Sequence, residues 1–177
     1  LKKDGFITNV RCGVHVHFGL EQKFGSIHKN PLFYKSLILA YSILEPAFND
    51  LLPLVRTNNH RHATSISHIA KYFYENQKSW ETMKLSKIWF GDNDPITIKK
   101  RINEKRDITK YHAISYHSLF RGLGLEIRSL EGTLDTDIIL NWINLHQKFI
   151  EGVAGLSYPF YHHPLIQELK INTPLLN

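Results

Sequence analysis

Two short segments carry the chemistry that this sequence offers: His15 and His17 in Cys12-Gly-Val-His-Val-His-Phe-Gly19, and Glu126 and Arg128 in Leu125-Glu-Ile-Arg128. In the first, Val14, Val16 and Phe18 alternate with the histidines, the pattern of a strand with two imidazoles on its open face. Histidines at i and i+2 project from one face roughly 6–7 Å apart, so they can hold one metal ion or two neighbouring parts of one ligand. In the second, Leu125 and Ile127 point one way and Glu126 and Arg128 the other, so an acid and a guanidinium share a polar face. A carboxylate suits a hard cation, and a guanidinium holds a phosphate or carboxylate as a fork. Together the two segments predict a phosphate–metal site.

Other chemistries fit less well. His15-x-His17-x-x-x-Glu21 has the spacing of the first metal motif of cupin barrels, but the sequence then enters a long helical pattern instead of short strands leading to a second motif. A three-histidine zinc site using His60 or His62 has no helix-borne ligand pair to support it. Cys12 precedes His15 closely, yet no G-x-S-x-G elbow and no cysteine-protease context accompany it. Neither G-x-x-x-x-G-K-[ST] nor a helix-opening G-x-G-x-x-G is present, so a nucleotide must be held by other means. The basic stretch Lys99, Lys100, Arg101, Lys105, Arg106 and Lys110 lacks the interleaved aromatics of single-strand nucleic-acid binders and reads as a solvated face.

Several elements must position these groups. Asn30 caps, and Pro31 opens, a helix with Phe33, Leu37, Tyr41, Leu44, Phe48 and Leu51 on its packing face, and Pro46 is expected to kink it after Glu45. The polar run from Val55 to Ser67 predicts a donor-rich loop, Ile66 to Tyr74 a helix, and Lys84 to Pro95 a surface excursion. Tyr111 to Leu119 and Leu123 to Leu130 read as an antiparallel hairpin turning near Arg121 and Gly122, with Gly132 ending it. Asp135 or Thr136 caps a last helix whose stripe is Ile138, Ile139, Trp142, Ile143, Phe149, Ile150 and Val153. The tail at 155–177 reads as mostly irregular, with a short helix near Leu165 to Leu169.

The composition suits one domain over 1–177, and the strands and helices above make it α+β. With 177 residues, 42% hydrophobic and 12% aromatic, the chain can bury a core, which excludes disordered, collagen-like and disulfide-scaffold classes. No apolar run approaches the length of a membrane span, and the single cysteine suits an intracellular, reducing compartment such as the cytoplasm or an organelle matrix. A net charge of +6 suits a polyanionic partner, and the eleven histidines point to metal ligation or proton transfer.

The histidine strand, the Glu45-Pro46 helix running into Leu54-Val-Arg-Thr-Asn-Asn59, and the pair His112-Ala-Ile-Ser-Tyr-His-Ser-Leu-Phe120 and Gly124-Leu-Glu-Ile-Arg-Ser-Leu-Glu-Gly-Thr-Leu-Asp135 resemble the amidoligases of the glutamine-synthetase-like carboxylate-amine ligase superfamily. The likeness covers roughly residues 10–153. It rests on G-x-H-x-H followed by E-x-R-x-x-x-G-T-L-D and a tryptophan-bearing helix.

The resemblance implies a curved antiparallel sheet flanked by helices and formation of an amide from a carboxylate and an amine, using ATP and Mg2+, through an acyl-phosphate. It assigns His15 and Glu126 to the metal and His17 to the nucleotide phosphates. Arg128 becomes the clamp for a phosphoryl group or substrate carboxylate, and Arg56 the arginine of an R-x-N-type loop. The substrates are then small-molecule or peptide carboxylates and amines, selected by loops such as 58–68 and 84–94.

The family pattern also begins with a G-x-E-x-E strand, whereas Asp4 is the only acid before Cys12, and Ser115 stands where the pattern suggests an asparagine. The chain is therefore expected to lack its N-terminal strand or strands. The alternative is a catalytically silent homologue serving as a binding or structural subunit, with nucleic acid as its partner.

Overall fold

Asn30 and Pro31 start the helix around which the chain is built. The computed structural model describes residues 5, 7–8, 12–53, 63–91, 94–104, 107–156, 159–164 and 166. Its strand β1 (Val16–Phe18) leads into the single turn α1 (Glu21–Phe24) and the long α2 (Pro31–Asn49). Then follow α3 (Ser67–Glu75), α4 (Leu85–Phe90), α5 (Pro95–Asn103), β2 (Ile114–Ser115), α6 (His117–Phe120), β3 (Leu125–Ile127) and α7 (Thr136–Ala154). Short 3-10 turns lie at Gln77–Ser79, Ile108–Tyr111 and Phe160–His162. The architecture is α+β, with a three-stranded antiparallel sheet of order β1-β3-β2.

The Asn30 side chain accepts the Phe33 amide and Pro31 needs no amide partner, so the first turn of α2 is satisfied. From Phe33 to Ser42 every residue is buried, so α2 is the central helix of the core and not a one-faced amphipath. It packs on α3, α7 and the Phe160–His162 turn. Leu44 and Leu51, expected on the packing face, are exposed where the helix leaves the core. The missing amide of Pro46 does not end the helix, which runs on to Asn49.

Asp135 caps α7 by accepting from the amides of Asp137 and Ile138. Its buried stripe is Trp142, His146, Ile150 and Val153; the expected member Ile138 is exposed, because the first turn extends past the core.

Three further expectations are corrected. The segment 84–95 is no plain surface excursion: Leu85, Ile88 and Trp89 recur at helical spacing, bury their side chains in α4, and Gly91 closes that helix at φ 71°. The hairpin reading of 111–130 keeps its antiparallel pairing, but β2 is only two residues long and the connection contains the helical turn α6. The histidine strand is shorter than the expected 12–19, although an isolated bridge pairs Gly13 with Glu131. Arg56 with most of the loop expected at 55–67, and most of the helix expected near Leu165 to Leu169, lie outside the described residues.

Candidate functional site

Register places the site on the sheet. Val16 pairs with Ile127 and Ile114 pairs with Ile127 on its other side, and these turn toward the core. One residue along, His17, Glu126 and Ser115 form a row across the three strands on the opposite face. Glycine secures the seating of β1: Gly124 has φ +88°, and a Cβ there would lie 2.6 Å from the Phe18 carbonyl oxygen.

The ladder then slips. From the pair Val16–Ile127 to the bridge Gly13–Glu131, β1 moves back three residues while β3 moves on four, so the β3 side carries one extra residue around 128–130. This bulge-like step lies beside Arg128, and such steps re-aim side chains. Ser129, next along, turns inward to within 3.4 Å of the Tyr41 hydroxyl.

Three basic groups converge on one carboxylate oxygen. Arg128 Nη1 donates to Glu126 Oε1 at 2.6 Å, His15 Nδ1 lies 3.1 Å from that atom and His17 Nε2 3.7 Å from it. Ser118 Oγ donates to the other oxygen, Oε2, at 3.1 Å. Burial pushes the Glu126 carboxyl up, but the His15 hydrogen bond and the charge of Arg128 outweigh it and hold it at about 2. The guanidinium of Arg128 also lies over the Tyr111 ring, 5.5 Å from its centre.

Burial divides these roles. Glu126 and Arg128 are 5% and 7% exposed, whereas the side chains of His15 and His17 are 38% and 45% exposed. The acid and guanidinium form a fixed base, and the imidazoles form a rim that a ligand reaches. The expected open polar face of β3 is therefore covered, because α6 and the 108–111 turn lie over it. The sheet brings together His15, His17, Glu126 and Arg128; Arg56 lies outside the described residues.

Two contributors have weak sequence signals. Ser118 reaches Glu126 only because 117–120 is helical; as a strand residue it would face away from Ser115. Tyr111 supports Arg128 by a ring-face contact, for which no spacing rule exists. Ser115, in the row with Glu126, buries a hydroxyl that has no hydrogen-bond partner among the described residues.

Glu126, held ionised, has the hardness that magnesium prefers, and the His15 Nδ1–H that donates to it here would have to give up that proton before its nitrogen could face an ion. Among the described residues no three His, Cys, Asp or Glu side chains are grouped to hold an ion alone. One carboxylate complemented by phosphate oxygens and water is nevertheless a usual magnesium arrangement. The expected solvated basic face is also partly structural, since Arg101 Nε donates to Asp107 at 2.7 Å. No described helix is long and apolar enough to cross a membrane.

A family model described as "Putative amidoligase enzyme" matches residues 1–150, a span that contains every group of this site. No curated protein and no solved structure matches the chain.

Proposed function

Because the chain belongs to this amidoligase family, we propose that it joins a carboxylate to an amine with ATP through an acyl-phosphate, on a glutamine-synthetase-like frame. The observation that carries this reading is the convergence of His15, His17 and Arg128 on the single carboxylate of Glu126. In the proposed reaction a substrate carboxylate oxygen attacks the γ-phosphorus and ADP leaves. The amine nitrogen then attacks the acyl carbon, loses a proton, and expels phosphate carrying that carboxylate oxygen. The products are amide, ADP and phosphate.

Phosphoryl transfer asks mainly for positioning and for neutralisation of developing charge. Arg128, fixed by Glu126 and the Tyr111 ring, meets the transferred phosphoryl group or the substrate carboxylate. His17, on the exposed rim, approaches the nucleotide phosphates, and Arg56 is assigned as a second guanidinium. Glu126 and His15 are the groups that would hold magnesium, which supplies charge neutralisation on the phosphate oxygens. Glu126 has a second task, holding the guanidinium and both imidazoles in register.

Hydroxylamine in place of the amine tests the reading. Full-length protein with Mg-ATP and a panel of amino-acid and peptide carboxylates should yield hydroxamate and ADP in equal amounts, and Glu126→Ala should abolish both. Hydroxamate formation unaffected by Glu126→Ala would remove the assigned role.

A further inference from the structure

A cavity of about 730 Å³ lies between the start of α2, residues 81–86 and α5, and none of its lining residues belongs to the strand site. Its described walls are largely apolar, with Ile27, Leu85, Ile98, Ile102 and Phe120 among them. In this wall sits Lys35, only 2% exposed. Its ammonium donates to the Trp80 carbonyl at 3.1 Å and to the Glu81 carbonyl at 2.7 Å. An ammonium has three N–H donors, so one has no protein partner among the described residues. A buried cation with an unmet donor is costly unless something satisfies it.

The remaining charges point the same way. Lys84 and Lys99 stand exposed at the mouth. The only acid of the described lining, Glu81, has its carboxylate engaged by His162 at 2.5 Å. The cavity thus combines an apolar body with a cationic end, which fits an organic anion.

The head group follows from the donors present. A phosphate asks for several N–H groups, typically a guanidinium fork or a free helix N-terminus. No arginine is in the described lining; of the three helices that begin there, α2 and α5 start with proline and give the amides of Phe33, Ile96 and Thr97 to Asn30 and Asp94, and α4, which has no side-chain cap, is only six residues long. A carboxylate needs fewer donors. We propose that this cavity binds an apolar carboxylate, an acid with a hydrocarbon or aryl body whose carboxylate accepts the third N–H of Lys35.

Calorimetric titration of full-length protein with decanoate, decyl phosphate and decyltrimethylammonium, all below micellar concentration, tests this without reading turnover, so its outcome is independent of the ligase reading. One decanoate per chain is expected, with decyltrimethylammonium failing to bind. Ile98→Trp, which fills the cavity from a partly exposed helix position, and Lys35→Met, which keeps the apolar stem, should each weaken decanoate at least about tenfold. Ile98→Trp keeps the test decisive if Lys35→Met does not fold. Unchanged binding by Ile98→Trp, equal binding of the cation, or tighter binding of decyl phosphate would each overturn the proposal.

Discussion

Glu126 stays ionised far below neutrality because an imidazole and a guanidinium on its oxygens outweigh its burial. A carboxyl whose folded value lies below its ordinary 4.5 contributes stability that is fully present above that pH and is lost as the pH falls through about 2. Glu126→Gln keeps the shape and removes the charge beside buried Arg128. It should destabilise the fold at neutral pH by on the order of 3 kcal/mol and flatten the stability profile between 4.5 and about 2, as urea midpoints across a pH series would report. Arg128→Lys separates binding from folding. Lysine retains the charge but not the planar fork or the ring contact, so turnover should fall on the order of 10²-fold while the urea midpoint moves little. Equal turnover would end the assignment of Arg128 as clamp.

Elements were legible where local rules decide them. Asn30-Pro31 and Asp135 mark both long helices because a cap is a local hydrogen bond, and the Val-His alternation gives the open face of β1 because side-chain direction follows a period of two. The same local rules fail at 84–90 and 117–120, where Gly91 and the Tyr-His-Ser run read as turn and strand but tertiary burial makes helices of them. The last helix also hides a titratable group. His146 is 1% exposed, its Nδ1–H donates to the Trp142 carbonyl, and its ring lies against Phe48 and Trp142. Burial lowers it from 6.5 to about 4, so folding disfavours its charged form and stability is lost as the pH falls from 6.5 toward 4. His146→Phe should therefore narrow the difference between melting temperatures measured at pH 7 and pH 5; an unchanged difference would show that this ring does not carry the acid sensitivity. His112, His68 and His117, lowered in the same direction by burial, contribute to what remains.

At the scale of the molecule, the site joins segments more than one hundred residues apart, and β3 between β1 and β2 is what unites them. The sequence carried the four principal groups because His17 and Glu126 lie on alternating strands and His15 and Arg128 directly adjoin them. It did not carry their convergence on one oxygen, which depends on register, on the extra residue near Arg128 and on the turn that delivers Ser118. The lysine-floored cavity was equally hidden, since its walls come from four separate stretches of chain. In the proposed reaction the carboxylate is activated by phosphoryl transfer. The most direct test of that step supplies full-length protein with ATP, magnesium, an amine panel and carboxylates labelled with 18O in both oxygens, and follows the isotope in the released phosphate by mass spectrometry. Each phosphate that accompanies an amide should carry one 18O, with none from Glu126→Gln; amide formed alongside unlabelled phosphate would overturn the acyl-phosphate route.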